Sequence, residues 1–115
     1  MIARSIAAML VPRSIRIDPA SEAYQPLLKG RPETGGMRSG LVTLRPGAAV
    51  GRHDTGDHEE LLIVLSGVGE LRLDGSVPLP LSVDATAYCP PHREHDVLNT
   101  GTVPLRYIYV VAEAR

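Results

Sequence analysis

The sequence predicts an all-β fold, a sandwich or barrel of short strands, on three observations. Eleven glycines and ten prolines fall as punctuation between short apolar runs, many of them β-branched. No stretch of the central region longer than ten residues lacks such a breaker. The run Glu70-Leu-Arg-Leu73 alternates polar and apolar residues and meets Asp74-Gly75, a two-residue hairpin signal.

In chain order, residues 1–36 read as an N-terminal arm with a first strand, able to pack on a partner subunit, and 37–115 as the barrel. Residues 1–11 place Arg4 ahead of a brief apolar patch, too short for a secretory h-region and followed by Pro12-Arg13 without a small-residue cleavage site. Residues 14–18 are the first candidate strand, and 20–28 a helical turn or irregular arm. The further candidate strands are 37–44, 58–65, 70–73, 77–81, 86–89, 95–99 and 105–112, each an apolar run bounded by turn residues. Val77, Leu79 and Leu81 share one phase, while Pro78 and Pro80 take the other. Neither proline can donate to a ladder, so this strand belongs at an edge or is short.

One domain accounts for 115 residues, enough to bury roughly two-thirds of the unfolded chain's surface around a single core. Thirteen acids against twelve bases give a formal net charge of −1, which argues against nucleic acid or an anionic membrane as a partner. Cys89 is the only cysteine, so an intramolecular disulfide and a thiolate zinc cage are both excluded, in keeping with a cytoplasmic protein. No apolar run approaches the roughly 20 residues that span a bilayer.

All four histidines, His53, His58, His92 and His95, lie within two segments. The first runs from Pro46-Gly47 through His53 and His58-Glu59-Glu60 to Gly67, and the second from Pro90-Pro91-His92 through His95 to Asn99. At the start of the 58–65 strand, His58 and Glu60 share one face about 7 Å apart, twice the rise per residue, and can converge on one ion. Glu59 points the other way. Neutral imidazoles with at most one carboxylate suit Fe, Zn, Ni, Mn or Cu and disfavour an all-oxygen Mg or Ca site, so one divalent transition metal is the expected cofactor. With no Trp or Phe to stack on, the expected ligand is a small aliphatic or oxygenated molecule held in the barrel.

Gly47, His53, Glu60 and Gly67 at these spacings resemble the first motif of the cupin superfamily, and Pro90, His95 and Asn99 resemble its second. The resemblance covers residues 47–99 and extends into the flanking strands. It implies a single antiparallel double-stranded β-helix, an RmlC-like jelly-roll barrel, with a metal held inside one end and a homodimer built through swapped N-terminal strands. Two positions depart from the pattern. Thr55 stands where the second histidine of the usual His-x-His pair belongs, and His92 replaces the glycine usual after the second motif's proline. Carried over position by position, His53, Glu60 and His95 match ligands. His58 is the expected replacement for the missing one, because it shares the phase of Glu60. The expected metal set is therefore His53, His58, Glu60 and His95, with His92 exposed on its Pro-Pro loop and Asn99 fastening loop backbone.

The function expected from these residues is a metal-dependent enzyme of the oxygenase, isomerase or lyase class acting on a small oxygenated metabolite. A non-catalytic metabolite-binding or sensing module, and a barrel whose metal is structural or absent, stay open at this point. No Ser/His/Asp arrangement, phosphate loop or dinucleotide fingerprint competes.

Overall fold

A computed structural model describes residues 10–114. Among the described residues there are nine strands and no helix: β1 (Gln25–Lys29), β2 (Arg38–Leu44), β3 (His53–Asp54), β4 (His58–Ser66), β5 (Gly69–Leu73), β6 (Leu79–Leu81), β7 (Ala87–Cys89), β8 (Glu94–Asn99) and β9 (Leu105–Glu113). One sheet has the order β1-β2-β9-β4-β7 and the other β3-β8-β5-β6. Every pairing between these strands is antiparallel. None of the described residues forms a helix long and apolar enough to cross a membrane.

The core lies between the sheets. Strand β5 alternates buried Gly69, Leu71 and Leu73 with more exposed Glu70 and Arg72. Strands β4 and β8 alternate likewise, delivering Leu62, Val64 and Val97 to the same cluster as Leu71, Leu81, Leu105 and Tyr107. Each such aliphatic side chain contributes about 1.5–3 kcal/mol on full burial. Gly67 sits at a tight turn with φ +83°, and a Cβ there would collide with the Pro104 carbonyl oxygen. Only glycine meets both requirements.

Most expected strands form, with three differences at the margins. Residues 14–18 form no strand. That stretch is held instead by its main chain, where Asp18 N–H donates to Gln25 Oε1 at 2.9 Å and the Arg106 guanidinium donates to the Asp18 and Pro19 carbonyls. The expected helical turn at 20–28 is replaced at its end by β1, whose ladder with β2 shifts register between Pro26 and Leu28. A proline without an N–H is tolerated there because β1 is the edge of its sheet. The two-residue β3, which carries His53, is too short to show any periodicity. Strand β6 begins at Leu79, leaves Val77 exposed, and lies at a sheet edge as its prolines require. Residues 1–9 of the expected arm lie outside the described residues.

Register places residues in rows across the first sheet. Lys29 faces Arg38, Arg38 faces Val111, Val111 faces Glu60, and Glu60 faces Cys89. Directly opposed residues share a face, and the burial of Glu60 and Cys89 identifies it as the inner one. The next row carries Gly40, Tyr109, Leu62 and Ala87.

Candidate metal centre

Three donors converge where the two sheets meet. Strand β3 pairs with β8 so that His53 lies directly opposite His95, with ring centroids 4.0 Å apart. Across the interior, Glu60 projects from β4, and its Oε2 lies 3.1 Å from His95 Nε2. One donor atom from each of His53, Glu60 and His95 falls within 4.8 Å of the other two. Metal bonds of about 2.1 Å require cis donors about 3 Å apart, so the Glu60–His95 pair is already at coordination spacing and the His53 ring needs only a small approach.

Main-chain carbonyls set the orientation of both rings. His53 Nδ1 lies 2.9 Å from Gly51 O, and His95 Nδ1 lies 3.1 Å from Arg93 O, in each case the carbonyl two residues earlier. A carbonyl oxygen only accepts, so each Nδ1 carries its hydrogen and each Nε2 is left for the interior. This is the arrangement that metal-ligating histidines use to fix their tautomer. Burial of the His95 imidazole opposes its charge, but the hydrogen bonds to Glu60 and Arg93 O outweigh it, and its pKa stands above the ordinary histidine value. A cation is therefore favoured between His95 Nε2 and Glu60, whether a proton or a metal ion.

The site opens into a cavity of about 740 Å³. Val42, Val50, Val97 and Val111 supply apolar wall, with Tyr107 and Tyr109 among them. Tyr109 hydrogen-bonds through its hydroxyl to that of Tyr24, and their rings stack within 5° of parallel. Tyr24 lies over Gly40 so closely that a Cβ at that position would overlap the Tyr24 ring. Burial raises the pKa of Tyr107, and burial with the Tyr24 hydrogen bond raises that of Tyr109, so both phenols keep their protons. Arg52 stands at the rim, but its guanidinium is committed to Asp74 and, at 3.3 Å, to Glu94. The Cys89 thiol is fully buried and its pKa is pushed up to about 11 by desolvation, which makes it inert, as expected from its sequence context.

Comparison with known proteins follows the same lines. The family model described as "Cupin domain" matches residues 40–111. The chain belongs to the cupin family. No curated protein is significantly similar to it in sequence. Among solved structures, the double-stranded β-helix of an RmlC-like cupin family protein from Methanocaldococcus jannaschii superposes with a TM-score of 0.75 at 16% identity, covering 90% of this chain and 92% of that one. A Cupin 2 conserved barrel domain protein from Salinispora arenicola gives a TM-score of 0.72 at 23% identity, covering 90% and 92% respectively. The cupin domain of Schizosaccharomyces pombe Cnp3 gives 0.69 at 19% identity, covering 78% of this chain, which spans 63% of that longer one.

Against the cupin motifs, the two departures now have structural explanations. Thr55 Oγ1 donates to Pro90 O at 2.9 Å and accepts from Arg93 N–H at 3.3 Å, so the side chain ties the two motif loops together. His92 occupies a left-handed position, φ +57°, which suits the usual glycine and which histidine tolerates better than most residues. Its exposed ring pairs with Asp57 at 3.2 Å, away from the site. The expected substitution of His58 for the missing ligand is not what the geometry shows: three of the four expected donors come together, and His58 is not among them. It shares the inward phase of Glu60 but lies one row further along β4, opposite Glu113. Asn99 fastens backbone as expected, donating to Leu44 O and Val103 O and accepting from Gly101 N–H.

Proposed function

We propose that this cupin is a metal-dependent enzyme, with the ion held by His53, Glu60 and His95 and a small oxygenated metabolite as substrate in the adjoining cavity. The observation that carries the reading is the pair of clamped imidazoles, each giving its Nδ1 hydrogen to a backbone carbonyl, with His95 Nε2 beside the buried Glu60 carboxylate and a donor atom of His53 within 4.8 Å of both. Two histidines and one carboxylate form the donor set of non-haem Fe(II) centres, which makes iron the first metal to test. A structural ion closes its shell with four protein ligands. Only three donors gather here among the described residues, which leaves positions for substrate.

When bound, the metal would supply Lewis acidity to the oxygen atoms of the substrate. The chain supplies the rest. Valine walls exclude water from the reacting end and lower its effective dielectric. Tyr107, with its pKa raised by burial, serves as a hydrogen-bond donor to substrate oxygen and not as a base.

Elemental analysis of protein purified without a histidine tag tests the centre. One transition-metal ion per chain is expected, followed by oxygen-consumption screening with small hydroxy and oxo acids if that ion is iron. Failure to retain stoichiometric metal after reconstitution would remove the basis for the enzyme.

A further inference from the structure

The row that carries Glu60 also carries two cations. Lys29 and Arg38 lie directly opposite each other across the β1–β2 ladder, and both line the cavity. Like charges in directly opposed positions destabilise a strand pair unless something neutralises them. Among the described residues no carboxylate lies within ion-pair distance of either one, whereas Arg31, Arg45, Arg52 and Arg72 each have a carboxylate partner. Among the described residues Glu60 is the only carboxylate lining the cavity, and it is held by His95. The unmet positive charge of the cavity is thus gathered at the β1–β2 end, with Arg52 already neutralised at the rim.

Register fixes how far this end lies from the metal centre. Arg38 is two strands from Glu60 and Lys29 three, with Val111 between. At about 4.8 Å per strand, the backbone separations are about 10 Å and 14 Å, and the long side chains shorten the gap between charged heads and ion. In this row Val111 lies between the cations and Glu60, with Tyr109 in the row beside it.

We propose that Lys29 and Arg38 form an anion anchor, so that the cavity takes a short aliphatic dianion with one carboxylate at the metal and a second oxyanion, carboxylate or phosphate, on the two cations. This substrate class rests on the metal-centre reading above, and a two-point hold of this kind would also fix which atoms of the ligand face the ion.

The test is calorimetric titration of metal-loaded protein with acetate, succinate and 2-phosphoglycolate, in the wild type and in the K29Q/R38Q double variant. Both positions are exposed, and elemental analysis confirms that the variant keeps its metal. Wild type is expected to bind succinate or 2-phosphoglycolate at least tenfold more tightly than acetate, and the preferred probe identifies the terminal group. The double variant should lose that preference while its acetate affinity is unchanged, and the charge-conserving K29R/R38K variant should restore it. Equal affinities for acetate and both dianions in the wild type, or an unchanged preference in K29Q/R38Q, would overturn the anchor. If the wild type holds no metal, the enzyme reading fails separately, and titration of the metal-free protein still decides the anchor. A dianion preference that depends on Lys29 and Arg38 supports it, and none overturns it.

Discussion

His53 and His95 face each other in one register pair, yet they belong to very different surroundings. His95 sits in the six-residue β8, paired on one side to β3 and on the other to β5, and is 1% exposed. His53 sits in the two-residue β3 at the edge of that sheet, with its strand neighbour also exposed. The buried partner is part of what holds the barrel together, and the exposed one contributes little to the core. Loss of metal and loss of fold should therefore separate cleanly between two residues in direct contact.

His95→Ala is the variant with the largest expected effect. It removes the ligand, strips buried Glu60 of its hydrogen-bond donor and opens a void, so both metal retention and about 3 kcal/mol of stability should be lost, read by elemental analysis and by chemical denaturation of the metal-free protein. His53→Ala should lose the metal as completely while changing metal-free stability by less than about 0.5 kcal/mol. Equal destabilisation by the two substitutions would break the contrast. Thr55→Val lies between them in kind, since it leaves every donor in place but unties the loops, and should cost about 1 kcal/mol with a measurable weakening of metal binding. His58→Ala should leave metal content unchanged, which sharpens the contrast by confining the site to three donors.

A separate effect, on pH dependence, is expected at Cys89, which pairs with Glu60 in the β4–β7 ladder. Its thiol is an acid whose folded pKa, about 11, lies above the ordinary thiol value of 9.0. From pH 9 upward the unfolded chain therefore releases a proton that the folded chain keeps, so stability should fall with rising pH until the folded thiol also ionises near 11. Cys89→Ala should flatten that slope in denaturation midpoints measured between those pH values.

Much of this was legible in the sequence because it depends on period and punctuation. The alternation in β4, β5 and β8 and the glycines and prolines between them identify the strands, and the spacing of His53, Glu60 and His95 points to the three side chains that the fold brings together. Strand β1 was missed because Pro26 and the bulge beside it break the alternation that marks a strand. The position of His58 outside the gathered donors has a related cause. Phase tells which face a side chain takes, but its level relative to a partner strand depends on register, which no single strand displays. The same limit hid Lys29 and Arg38, which lie far from both motifs in sequence and join the row of Glu60 only through two further ladders.

The two carbonyls that orient the imidazoles belong to Gly51 and Arg93, and they are main-chain atoms. A carbonyl is the same whatever side chain its residue carries. The aim of the histidines is thus inherited through the path of the backbone: position 93 can drift as far as that path allows without turning the ring it orients, whereas position 51, at φ +112°, keeps its glycine for the path itself.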